Sequence, residues 1–318
     1  MKRMSLLMAL ALATTLAAAQ ELPQKTITIV VGFVAGGGAD TAARIIGKKV
    51  SENLKQNVVI ENRAGAGGNI AHLYVAGAPA DGSVILLGSV GPLAVAPHMM
   101  HVGYDPLKDL APLTMGVLFP NVLVVHAGLG VKTLAEYVAL AKTKSGGLEY
   151  ASTGPGSASH LAGELFNARA GVEIVHIPYK GGAQAMQDLL AGRVAAYFSS
   201  PATAEPYIEA GKLVPLATTG LTRPASMSQV PTIAESGYPG FNATNWYAFV
   251  APGKTPTPIL DRWNRELVKA LNDPEVKEEL MKRGLIPTPM TRDELARFIA
   301  AESATGEKVI RERKITAN

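Results

Sequence analysis

The stretch Val30-Val31-Gly32-Phe33-Val34-Ala35-Gly36-Gly37-Gly38-Ala39-Asp40 runs from a β-like segment through three consecutive glycines into a helix. Its chemistry is that of an anion cradle. Glycine accepts φ > 0 and lets backbone N–H groups approach a ligand, while a helix start adds unpaired donors with partial positive charge. A plain strand-to-helix turn would read the same way in isolation. Two similar loops recur, however, at Arg63-Ala64-Gly65-Ala66-Gly67-Gly68-Asn69 and at Ser152-Thr153-Gly154-Pro155-Gly156-Ser157-Ala158-Ser159. Small polar residues also close two strand-like runs, Ser89 after Val84–Gly88 and Ser199 after Val194–Phe198. Strand ends of this kind line the clefts of α/β sheets.

Other chemistries fail on spacing. From Gly65 and Gly67 a dinucleotide fingerprint needs glycine at position 70, which is Ile70, and from Gly154 and Gly156 it needs one at Ser159. A phosphate-binding P-loop before Gly253-Lys254-Thr255 needs glycine where Ala248 stands. The chain has no G-x-S-x-G elbow and no H-E-x-x-H helix. His98-Met99-Met100-His101 could offer nitrogen and sulfur to a soft metal, but with no supporting ligands it reads as loop, and no metal or cofactor is expected. His160, one turn into a helix behind Ser157 and Ser159, has two readings: orienting the loop, or contacting a ligand carboxylate. Asp40 reads best as an acceptor of backbone N–H groups that fixes the glycine loop, and Arg63 as a partner for Glu61. Trp246 is either a cleft wall or core at a hinge, and Tyr179 and Lys180 stand behind a glycine pair.

These loops need rigid elements to hold them. Thr26–Val31 is β-branched and buried in character, and after Asp40 the apolar stripe Ala42, Ile46, Val50, Leu54 repeats at helical spacing. The β-loop-α unit repeats through Val58–Ile60 and through Val84–Leu87, with an irregular passage around Pro106–Pro112. A second block begins at the capping box Thr133–Glu136 and contains strands at 148–151, 174–178, 194–198 and 213–218, with Ser159 expected to cap a helix. Beyond Pro252 the pattern is helical, with Asp273-Pro274 and Thr291–Glu294 as helix starts. Alternating strands and helices predict parallel sheets covered on both faces. Two blocks joined by two crossings predict a hinged pair: residues 20–120 with 244–318 as domain 1, and 121–243 as domain 2.

The first residues stand outside this plan. Lys2 and Arg3, the apolar run Leu6–Leu16 and Ala17-Ala18-Ala19 form a signal peptide, residues 1–19, cut after Ala19, which predicts a periplasmic protein. The chain has no cysteine, so its cores must hold it without disulfides. Its net charge falls from +4 to +2 once Lys2 and Arg3 are removed, and the remaining basic residues are scattered. That excludes a nucleic-acid footprint.

Several stretches together resemble the tripartite tricarboxylate transporter receptor family, or Bug proteins, across nearly the whole mature chain. They include Gly36–Asp40 with Arg44, Glu61–Asn69, Pro79–Gly82, Tyr104–Pro106, Ser157–Phe166, Pro178–Gly182, Val230–Gly237, and Trp246 with Ala251-Pro252. The resemblance implies a type II periplasmic-binding-protein fold, a Venus flytrap of two doubly wound α/β domains with a ligand cleft between them. It also implies a pincer on a ligand carboxylate, working through backbone groups and bridging waters. Carried over by position, the ligand-binding residues are Phe33, Ala35, Gly37, Gly38, Ala39, Asp40, Ala64, Gly65, Ala66, Gly67, Gly68, Ser89, Thr153, Ser157, Ser159, His160 and Ser199. Many relatives carry aspartates where this chain has Ser199 and Ala195, and their absence disfavours a ligand ammonium. The expectation is therefore a monomeric, non-enzymatic receptor for a di- or tricarboxylate or an aromatic carboxylate, working with membrane transport subunits. A ligand-reporting subunit of a signalling system, or a periplasmic enzyme acting on a carboxylate, are the alternatives.

Overall fold

A computed structural model describes residues 22–144, 147–313 and 315–316; the expected leader lies outside the described residues. In chain order the first elements are β1 (Ile27–Val31), α1 (Gly38–Leu54), β2 (Val58–Asn62), α2 (Asn69–Ala76), β3 (Val84–Ser89) and β4 (Leu110–Pro120). Then come β5 (Val122–His126), α3 (Leu134–Thr143), β6 (Glu149–Ser152), α4 (Ala158–Ala170), β7 (Val175–Pro178), α5 (Gly182–Leu190), β8 (Ala196–Ser199), α6 (Pro201–Glu209) and β9 (Leu213–Thr218). The chain closes with β10 (Thr244–Pro252), α7 (Thr257–Asn272), α8 (Pro274–Met281), β11 (Ile286–Pro287) and α9 (Arg292–Arg313).

Two sheets result. The first has the order β11-β4-β10-β3-β1-β2 and the second β7-β6-β8-β5-β9. The chain passes from one to the other between Pro120 and Val122 and returns ahead of Thr244. The sheets are mixed rather than purely parallel as the sequence predicts. β1 pairs in parallel with β2 and β3, but β10 runs antiparallel to both β3 and β4, and β5 antiparallel to β8 and β9. The reason lies in the crossings. β4 passes into β5 through Asn121 as extended chain with no helix intervening, the return runs through a long loop with one 3-10 turn at Ala225–Met227, and antiparallel neighbours need no helical crossover. The same pairing draws in the passage expected to be irregular, so that β4 already begins at Leu110.

Local signals explain the helices. In α1 the buried stripe is Ala39, Ala42, Ala43, Ile46 and Val50, packed on Ile27, Ile29 and Trp263. The fully buried Ile46 and Val50 each stabilise the fold by about 1.5–3 kcal/mol. Thr133 and Glu136 form the full capping box at α3, and Asp273 caps α8 ahead of Pro274. α4 is capped by Ser157 instead of the expected Ser159, because Ser157 Oγ accepts from the His160 N–H. α9 returns to the first sheet, where Leu295, Ile299 and Ile310 pack with Leu93 and Trp246.

Candidate functional site

Between the two sheets lies a cleft with about 430 Å³ free of protein atoms. Four helix starts reach its wall: Gly37 and Gly38 of α1, Ala158 and Ser159 of α4, Gly182 of α5, and Ser200 and Thr203 of α6. At α1, α5 and α6 no side chain caps the end. At α1 and α5 the first-turn N–H groups therefore have no partner inside the helix, whereas at α6 Pro201 has no N–H and the Thr203 N–H donates to the Ser200 carbonyl; each end carries roughly half a positive charge. None of the residues on the wall carries a charged side chain.

The hydroxyls and amides of the wall leave atoms to spare. Ser89 Oγ is buried with no partner. Asn245 Nδ2 donates to Asn121 Oδ1 at 3.1 Å, which leaves Asn121 Nδ2 and Asn245 Oδ1 unpaired, and both residues line the cleft at the two crossings. Tyr197 and Tyr247 complete the wall, with burial holding both phenols above their ordinary range, so that they stay protonated donors.

Of the residues expected from sequence, Phe33, Gly37, Gly38, Ser89, Thr153 and Ser159 stand on this wall. The others lie off it. Asp40 is sealed into its own loop, accepting from Gly36 N–H at 3.0 Å, Arg44 at 2.8 and 2.9 Å and Asn62 at 3.0 Å. Burial alone would raise its carboxyl pKa, but these hydrogen bonds and the Arg44 charge prevail and hold it below the ordinary value. Ala39 is buried in the core beside it, and Ala35 faces solvent. The loop Ala64, Gly65, Ala66, Gly67 and Gly68 does not reach the wall: Gly68 packs against the Phe33 ring, and Gly67 meets the Pro155 carbonyl of the other lobe. Arg63 pairs with Glu61 at 2.6 Å and lies 3.5 Å over the Tyr74 ring. Ser199 is fully buried, its hydroxyl donating to the Ser200 carbonyl at 3.1 Å.

His160 and Ser157 shape the third loop from behind. His160 Nδ1 accepts from Gly156 N–H at 3.1 Å, and its ring stacks on His176 with centroids 4.0 Å apart. His176 bonds Ser152 Oγ, which in turn accepts from Gly154 N–H. Burial lowers His160 to about 4 and, with the neighbouring imidazole, His176 to about 3, so both are neutral near neutral pH. The contacts His160 makes in this structure are those of a loop-orienting residue. The second loop has its own imidazole: His72 Nδ1 bonds the Gly68 carbonyl at 2.9 Å, and burial lowers its pKa to about 4.

Sequence reading missed Asn121, Tyr197, Ser200, Thr203, Asn245 and Tyr247. Ser200-Pro201 is a legible helix start, whereas the two asparagines meet only because the crossings lie side by side. Among the described residues no group of histidines and carboxylates could hold a metal ion; His98 instead bonds Ser303 Oγ at 2.8 Å. No helix among the described residues is long and apolar enough to cross a membrane.

The model of the tripartite tricarboxylate transporter family receptor, TctC, matches residues 42–315. The chain belongs to this family. BugT of Bordetella pertussis is 38% identical to the TctC-family chain over 296 residues, covering 92% of this chain and 91% of BugT. Rpa4515 of R. palustris, solved with adipate, superposes with a TM-score of 0.90 at 36% identity, covering 93% and 99% of the two chains. MatC from Rhodopseudomonas palustris, solved with bound malate, gives 0.87 at 30% identity over 91% and 99%. The family is one of solute-binding receptors, and the two-sheet architecture is its periplasmic binding-protein fold.

Proposed function

We propose that this receptor is an extracytoplasmic, monomeric, non-catalytic capture protein for a small carboxylate, which it delivers to the membrane subunits of a tripartite tricarboxylate-type transporter. In this reading residues 1–19 are its export signal, residues 20–120 with 244–318 form one lobe, 121–243 form the other, and Asn121 and Asn245 mark the hinge. The observation that carries it is the convergence of four helix starts, three without side-chain caps, on a cleft with no charged side chain. Such a site offers positive ends and N–H donors without a fixed counter-charge, which suits a carboxylate. Hydrogen bonds to a charged group contribute about 1.5–3 kcal/mol each, so four at the upper end, about 12 kcal/mol, less about 4 kcal/mol for association, reach about 8 kcal/mol, or micromolar affinity.

The absence of an acid from the wall argues against an amino acid, whose ammonium would go unpaired. The unpaired Asn121 Nδ2 and Asn245 Oδ1 supply a donor and an acceptor for the ligand's other end. Adipate and malate, held by the two R. palustris relatives, fall in the proposed class. The test is a thermal-shift screen against mono-, di-, tri- and aromatic carboxylates, amino acids and nucleotides. A ligand at about 100 times its dissociation constant adds about 2.7 kcal/mol, a shift of a few degrees. A shift confined to carboxylates supports the reading, and one confined to amino acids or nucleotides overturns it.

A further inference from the structure

A second, larger cavity lies behind the cleft, with about 870 Å³ of atom-free space. Successive residues of a strand point to opposite faces. Along β10 this sends Asn245 to the cleft and Trp246 to the rear cavity, and the neighbours Ser89 and Val90 divide the same way. The wall is mostly apolar, with Leu161 and Leu165 from α4 facing Trp246 and Phe298. The indole and the Phe298 ring meet edge to face, with centroids 5.4 Å apart. One charged side chain stands on this wall, Glu302, whose Oε2 accepts from Trp246 Nε1 at 3.1 Å.

An apolar chamber walled by two aromatic rings and a single carboxylate has a definite complement. It is a small organic cation, because the ammonium finds the carboxylate beside the half-buried Phe298 ring, while the hydrocarbon body covers the leucines; Trp246 is itself fully buried and serves by holding Glu302. We propose that the rear cavity is a second ligand site that takes a small organic ammonium ion with an apolar body, paired to Glu302. The site touches both lobes. α4 presents Ser159 to the cleft and Leu161 to the rear cavity, so an occupant seated against α4 and α9 favours the arrangement in which the lobes meet around the cleft. Its binding and that of the cleft ligand then strengthen each other by the same factor.

Titration calorimetry of the full chain with benzylammonium, alongside uncharged benzyl alcohol, tests this without any cleft ligand. The expected result is saturable binding of one benzylammonium, at least tenfold tighter than the alcohol. Glu302→Gln keeps an acceptor for the indole N–H and should weaken benzylammonium at least tenfold. Leu161→Trp, which fills the chamber, should abolish binding while circular dichroism reports a folded chain; if that variant does not fold, Leu161→Phe replaces it. Absence of saturable binding, equal affinity for the alcohol, or binding unchanged in Glu302→Gln or in the cavity-filling variant would overturn the proposal.

Discussion

Gly91→Ala should act as a wedge between the lobes. Gly91 opens a helical segment, Gly91–Val95, just beyond β3 and does not take a left-handed φ, so alanine suits its backbone. Within a helix alanine is favoured over glycine by roughly 0.5–1 kcal/mol. A methyl group there, however, would lie 2.6 Å from the Gly156 carbonyl oxygen and 2.9 Å from Ser157 Cα, both backbone atoms of the opposite lobe. No rotamer change relieves a clash with backbone, so the lobes must move apart where they now touch. Overpacking of this kind costs about 1–3 kcal/mol, and the cost falls on the arrangement in which the lobes meet. The expected outcome is a melting temperature equal to or above that of the parent chain. Affinity for the carboxylate found in the screen should fall about 5- to 150-fold by titration calorimetry. Unchanged affinity would refute the reasoning that ligand capture needs this contact. A melting temperature lower by many degrees would refute it differently, by placing Gly91's constraint inside its own lobe.

Acid should weaken the fold before most carboxylates are protonated. His72 and His160 are both lowered to about 4 by burial, so the unfolded chain, with ordinary imidazoles, binds more protons. Stability from these groups is complete above about pH 6.5, is lost as the pH falls towards 4, and levels off below; each should cost about 2 kcal/mol between about pH 7.5 and pH 5, measurable by denaturant titration. Asp40→Ala removes the acceptor shared by Arg44, Asn62 and the Gly36 N–H and should destabilise by about 3 kcal/mol, read as a lowered melting temperature. Asn121→Ala removes an amide that lines the cleft and should weaken the carboxylate about tenfold or more, with a smaller effect on melting.

The elements were legible because local and tertiary preferences agree. The β-branched run before Gly32, the Thr133–Glu136 box and Asp273-Pro274 all form the structure their residues favour. The antiparallel pairing of β10 was not legible, since its partners β3 and β4 lie more than a hundred residues upstream and nothing in β10 itself records direction. The site divides in the same way. Phe33, Gly37 and Gly38 announce themselves through glycine spacing, but the loop 64–68 has equal glycine content and spends it on contact with the opposite lobe. Glycine spacing reports that backbone comes close to something; whether that is a ligand or another stretch of backbone is settled by the packing of the two lobes.

The uncharged wall of the cleft sets how the ligand arrives and leaves. With no lysine or arginine on that wall and a small net charge on the chain, little long-range field draws an anion in. Encounter is then governed by diffusion and orientation, and the attraction of helix ends is felt only at close quarters. Release is correspondingly undemanding, because no buried ion pair has to be broken and no stranded charge is left behind when the lobes separate. Added salt, which screens distant charges over about 10 Å, has little to act on. A receptor built this way holds its cargo by geometry and gives it up by opening.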